Sequence, residues 1–68
     1  LPDEIDSDLR DMTVTRRMLE KADTLKDMNL PIGTLVMLIK RDDEFLIPNG
    51  SLRLHEGDKL LLISENKK

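Results

Sequence analysis

The residues best equipped for chemistry are two pairs of cations and a single imidazole. Arg16-Arg17 and Lys40-Arg41 each follow a run of apolar or β-branched residues. Guanidinium forks grip carboxylates and phosphates through paired hydrogen bonds, so two such clusters brought together would hold a small anion. Apolar side chains such as Ile32 and Ile39 would pack on the flat parts of that ligand. The plainer alternative is surface charge that balances the acidic start of the chain. His55 stands beside Glu56, but a lone histidine completes neither a catalytic relay nor a zinc site. Ser7, Ser51 and Ser64 lie in no nucleophile motif, and the three glycines are too scattered for a phosphate loop. The acids sit mostly in the opening segment and in turns, where solvated faces are the rule, so paired carboxylates for proton transfer are not expected. Met12, Met18, Met28 and Met37 read as adaptable core filler, since a thioether metal site needs convergent soft partners. These residues predict a binding or interaction domain, not an enzyme.

Composition narrows the partners. Sixty-eight residues make one domain, and a domain of that size is marginal on its own. Small scaffolds usually need a disulfide, a metal or association with another chain. There is no Cys and only one His, so association is the remaining device. The lack of Cys also fits a reducing compartment. A net charge of −3 and a single aromatic, Phe45, weigh against nucleic acid, which is bound by cations and stacking platforms. No run approaches the roughly 20 apolar residues of a membrane span, and no signal-peptide pattern is present. The start at Leu1-Pro2 suggests a piece of something longer.

The elements that would position these side chains can be read in turn. Residues 1–8 carry four acids and little to bury, and read as a linker; residues 66–68 read as a polar tail, leaving a domain over 9–65. Residues 9–15 alternate Met12 and Val14 with threonines, a half-buried strand pattern. Within 18–30 the stable helix is expected in the second half. Thr24 and Asp27 have capping-box spacing, Leu25 and Met28 share a face, and Asn29 and Pro31 close it. Residues 18–23 are left as a connector or an extra turn. Residues 34–41 form the central strand: Leu35 to Ile39 are all apolar, without alternation, so both faces should be covered. Asp42-Asp43 suits a hairpin loop, residues 44–48 return as a strand, and Pro48 confines that strand to an edge or ends it. Asn49-Gly50 and Glu56-Gly57-Asp58 are turns, with an alternating short strand or extended segment at 51–55 between them. Residues 59–64 are the last strand, with a second unbroken apolar run.

The expected fold is α+β: a small, mainly antiparallel sheet, with one short helix between its first and second strands, in the order strand, helix, strand, strand, strand. The helix covers one sheet face. The other face keeps the rest of two apolar runs, a patch of the kind monomers avoid, so a homodimer through the sheet or its edges is expected. If the first and central strands are neighbours, their cationic ends converge, and dimer symmetry doubles the patch.

Four stretches together resemble the RCK C-terminal domain, also called TrkA-C. They are Thr24-Leu25-Lys26-Asp27-Met28-Asn29-Leu30-Pro31, Leu35-Val36-Met37-Leu38-Ile39-Lys40-Arg41, Phe45-Leu46-Ile47-Pro48-Asn49-Gly50 and Leu54-His55-Glu56-Gly57-Asp58-Lys59-Leu60-Leu61-Leu62-Ile63. Their order and spacing carry the likeness over about residues 12–64. The resemblance implies a homodimerising regulatory module on the cytoplasmic side of the cell membrane, the soluble domain of a cation transporter. The parent looks most like a potassium/proton or sodium/proton antiporter, with its membrane transporter domain as the module's intrachain partner. The resemblance also implies cyclic di-AMP or another small anionic effector as ligand at a dimer interface. Ile32, Leu35, Ile39, Arg41 and Pro48 are the candidate pocket residues. Where the family often has Gly-Lys-Thr-Leu before the helix, this chain has Ala22-Asp23-Thr24-Leu25, which puts an acid in place of the lysine. No dinucleotide-binding half accompanies these residues, so no NAD site is assigned. Two alternatives remain. Ile47-Pro48 followed by Leu52, Leu54 and the 56–60 turn loosely resembles the AbrB/MazE swapped-hairpin DNA-binding fold, against which the acidic balance weighs. A purely structural dimerisation module is the other.

Overall fold

A computed structural model describes residues 7–65 of the chain. Five elements follow in sequence: β1 (Ser7–Thr13), α1 (Arg16–Lys21), β2 (Thr34–Arg41), β3 (Glu44–Leu46) and β4 (Lys59–Glu65). The four strands form one antiparallel sheet in the spatial order β1-β4-β2-β3. The small antiparallel sheet with one short helix is the expected α+β arrangement. β1 begins at Ser7, so Ser7 and Asp8 pair with Glu65 and Ser64 instead of belonging to a linker. The rest of the expected linker, residues 1–6, and the expected tail, 66–68, lie outside the described residues.

The helix is not where capping signals placed it. Thr15 is the N-cap: its hydroxyl accepts from the Met18 N–H at 3.2 Å, and the Met18 sulfur accepts from the Thr15 N–H at 3.4 Å. A sulfur closes the box in place of the usual Glu or Gln. Arg16 to Lys21 are good helix formers and fill the six positions, so Arg16 and Arg17 open a helix and do not end a strand. Over 24–28 there is a single turn, with the Met28 N–H bonded to the Thr24 carbonyl at 3.2 Å. Two facts stop it there. Thr24 gives its hydroxyl to the Asp27 carboxylate at 3.1 Å instead of capping the backbone. The surrounding backbone is committed to residues 50–54: Lys26 N–H to Gly50 at 3.1 Å, Leu54 N–H to Asp23 at 2.7 Å, and a bridge between Thr24 and Arg53. That isolated bridge is what the expected short strand at 51–55 becomes.

Strand register assigns side chains to faces, because paired residues project to the same side. Met12, Leu60, Ile39 and Leu46 form one row across all four strands; Leu62 and Val36 form the next. This face meets Val14, Leu54, Leu19 of α1, Leu25, Met28 and Leu52, and it is the core. Val14, Ile39, Leu54, Leu60 and Leu62 are buried in it. Each such side chain contributes about 2 kcal/mol by leaving water. A bulge reconciles Val36 and Ile39, three residues apart, with one core face. Leu62 pairs Val36 while the next residue back, Leu61, pairs Leu38, and Met37 is the extra residue. Met37 is therefore exposed and not core filler, unlike Met12 and Met28.

Among the described residues, the opposite face has no such cover. Leu9, Ile63 and Leu35 make one row, Leu61 and Leu38 the next, and Thr13, Lys59, Lys40 and Phe45 the third. Leu9, Leu35 and Phe45 are each more than 60% exposed. The Leu35 to Ile39 run lacks alternation because both sheet faces are apolar, and the described residues cover only one of them.

Candidate functional site

One cluster organises the polar end of the core. Arg41, the last residue of β2, turns its guanidinium towards the loop before β4. Its Nε donates to Asp58 Oδ1 at 2.9 Å and its Nη2 to Asp58 Oδ2 at 2.8 Å, a two-pronged ion pair. Nη2 also reaches the Arg53 carbonyl at 3.0 Å, and the His55 N–H donates to Asp58 Oδ2 at 2.8 Å. Asp58 is buried. A carboxylate can stay ionised there because each of its oxygens accepts a hydrogen bond from the cation. The Arg41 hydrogen bond holds the Asp58 carboxyl below its ordinary range; burial opposes this, and the His55 N–H helps. The same bond raises Arg41 further above its usual value. Val14 is tied to this loop from both sides, donating to the Asp58 carbonyl and accepting from Gly57, each at 2.8 Å. The cluster thus locks the ends of β1, β2 and β4 together.

This placement changes the reading of the cations. β4 lies between β1 and β2, so the first and central strands are not neighbours and no shared cationic end arises from their pairing. Arg41 already has a carboxylate in its fork, which removes it from the candidate ligand set in this conformation. Ile39 leaves it too: it is fully buried in the core and has no surface for a ligand. Ile32 is fully exposed in the turn before β2 and Leu35 is exposed on the open face. Leu35 and Pro48 are brought together, lining one shallow groove of about 270 Å³ with Leu25, Lys26, Val36 and Asn49. Lys26 and Asn49 were not singled out by sequence. Their signal lies in the turn motifs that hold them, Thr24 to Asp27 and Asn49-Gly50, whose spacing speaks for local structure and not for a ligand. Asp58 was likewise read as turn.

A second groove, of about 560 Å³, lies between α1 and residues 27–31 and is lined by Met12, Met18, Met28, Leu30 and Pro31. Among the described residues, no group of three His, Asp or Glu side chains converges as a metal site. No helix among them is long and apolar enough to cross a membrane.

The match that decides the family spans the turn at Thr24, the central sheet strands and the Arg41–Asp58 cluster: residues 23–67 match the TrkA-C domain. The chain belongs to the TrkA-C domain family. That family comprises regulatory domains of ion transport proteins, generally without catalytic activity, and its membership displaces the swapped-hairpin DNA-binding alternative. β1 and α1 precede the matched span. Yet β1 is hydrogen-bonded along β4 from Ser7 to Thr13 and supplies Met12 to the core, so the folded unit extends N-terminally beyond the TrkA-C match.

Proposed function

We propose that this TrkA-C domain is the cytoplasmic, homodimeric and effector-sensing module of a membrane cation transporter of the cation–proton antiporter type. The observation that carries the reading is the family match over residues 23–67. The effector is a small anionic ligand with flat apolar parts, cyclic di-AMP being the first candidate, taken up between two copies beside Leu35 and Pro48. Support for that position comes from the groove these residues share, in which Lys26 supplies a cation and Asn49 an amide. The ligand acts through linkage: it favours one dimer arrangement over another and shifts transport by its differential affinity for the two.

Calorimetric titration of the domain with cyclic di-AMP tests the ligand. Saturable heat at one ligand per two chains is expected, with Lys26→Ala weakening binding at unchanged thermal stability. Silence from a verified dimer overturns the effector and leaves a structural dimerisation module. Cation flux through the parent with and without this domain tests regulation: flux unchanged by its deletion overturns the regulatory role.

A further inference from the structure

Three of the four methionines, Met12, Met18 and Met28, line the groove of about 560 Å³ between α1 and residues 27–31. They come from three separate places: Met12 from the core face of β1, Met18 from α1 and Met28 from the turn at 24–28. Each is half-buried, so a thioether there is shielded from bulk water without being sealed from a solute. Met18 is also fixed in place, because its sulfur accepts the Thr15 N–H at 3.4 Å, and a thioether sulfur has a second lone pair to give. The polar side chains of the lining are Lys21, Asp27 and Asn29, and the Asp27 carboxylate offsets the Lys21 ammonium. Met37 lies apart from this groove, exposed at the bulge of β2.

We propose that this groove is a thioether site for a soft monovalent cation, copper(I) or silver(I), held by the sulfurs of Met12, Met18 and Met28. The site depends on neither the effector nor the dimer of the proposed function. A closed-shell ion of low charge prefers polarisable sulfur, and thioethers select copper(I) over the harder ions that carboxylates and carbonyls take. The chain has no Cys, so thioether sulfur is the soft donor it has. Methionine is unbranched and adaptable, so three of them can close on one ion from the walls of a groove wider than the ion itself. Ordering those side chains costs entropy, which holds the affinity to the micromolar range. Ala22, Leu30 and Pro31 complete the lining and bring no side-chain oxygen or nitrogen to compete for the ion. The ion keeps its oxidation state on binding. A thioether has no proton to lose, so binding releases none and the affinity is flat with pH, unlike that of a thiolate or imidazole site.

Silver(I) nitrate titrated into the 68-residue chain in chloride-free buffer, followed by calorimetry and by the methionine methyl NMR signals, tests the site. One ion per chain is expected, with the methyl signals of Met12, Met18 and Met28 moving together while that of Met37 stays. Met12→Leu and Met28→Leu conserve volume and leave the cap of α1 intact, and each should weaken binding about tenfold or more. Met37→Leu and His55→Gln should leave the affinity unchanged, since neither residue lines the groove. The affinity should also agree between about pH 6 and pH 8. Circular dichroism checks the fold of every variant. Binding no tighter than millimolar overturns the site, as does a methyl shift at Met37 equal to the other three. Affinity indifferent to both Met12→Leu and Met28→Leu overturns it too, and so does affinity lost with His55→Gln, which would place the ion on the imidazole. Zinc(II) should leave the methyl signals where they are, and a zinc-induced shift of all three would overturn the assignment to a soft ion.

Discussion

Asp58→Ala should be among the most damaging single changes in this domain, and its cost follows from the Arg41 cluster. Asp58 accepts two hydrogen bonds from Arg41 and one from the His55 backbone, all between 2.8 and 2.9 Å. Removing one partner of a buried ion pair typically costs about 3–5 kcal/mol, because the other charge is stranded. The Arg41 side chain keeps 22% of its exposure, so its guanidinium regains some water and the lower part of that range applies. About 3–4 kcal/mol is expected, against a total of about 3–10 kcal/mol for a chain of this length. Urea unfolding followed by far-UV circular dichroism is the assay, since there is no Trp or Tyr to report by fluorescence. Protein concentration must be held fixed, because association adds to apparent stability. The companion variant, Arg41→Met with Asp58→Leu, removes both charges and should be less destabilised than the sum of its single changes. A loss under about 0.5 kcal/mol for Asp58→Ala, or a double variant worse than additive, would refute the assignment of this cluster as the lock between β1, β2 and β4.

The same cluster sets an acid limit. A carboxyl whose folded value is depressed contributes stability that is fully present above its unfolded value and is lost as pH falls through its folded value. The ordinary value for Asp58 is 3.8 and the folded one lies below it. Its contribution should therefore be flat above about pH 5 and decline below about pH 4. Asp58→Asn should remove that part of the slope while lowering stability at neutral pH; an unchanged acid slope would refute the link.

Three smaller perturbations probe the scaffold by the same urea measurement. Gly57→Ala places a Cβ where φ is +91° and no atom lies within 4 Å, so the cost is backbone strain alone, about 1 kcal/mol. Thr15→Ala removes the N-cap acceptor of α1 and should cost about 1 kcal/mol, seen also as lost helical ellipticity. Ile39→Ala opens a cavity at the fully buried centre of the row from Met12 to Leu46 and should cost about 3–4 kcal/mol, enough to leave much of the chain unfolded.

Much of this fold was legible, and the places where it was not have physical causes. The strands were readable because β-branched and aliphatic runs of strand length stand between turn residues. Asp42 takes a positive φ of 54° in the turn between β2 and β3, a conformation short polar side chains tolerate. The helix was misplaced because residues 24–27 carry a cap-like spacing whose threonine bonds a carboxylate instead of the backbone. The true cap, Thr15, is closed by a methionine sulfur that no capping rule anticipates. The candidate ligand residues divided along the same line. Leu35 and Pro48 share a groove, whereas Ile39 is inside the core and Arg41 is held by Asp58. Sequence places residues along a strand, but only pairing shows which side each one faces.

That distinction bears directly on the apolar run of β2. An unbroken run predicts cover on both faces, but it cannot say how a strand delivers two core residues spaced by three. The bulge at Met37 does this by inserting a residue without a partner on β4, so Val36 and Ile39 both face inward while Leu35 and Leu38 face outward. Without the bulge, strict alternation would align Val36 with Leu38 and turn Ile39 out of the core. The five-residue run is thus one strand serving two surfaces. One is filled by α1 and the loops at 24–28 and 49–55. The other carries aliphatic rows ended by lysines and a glutamate, a pattern whose cost in water falls only when a complementary surface covers it.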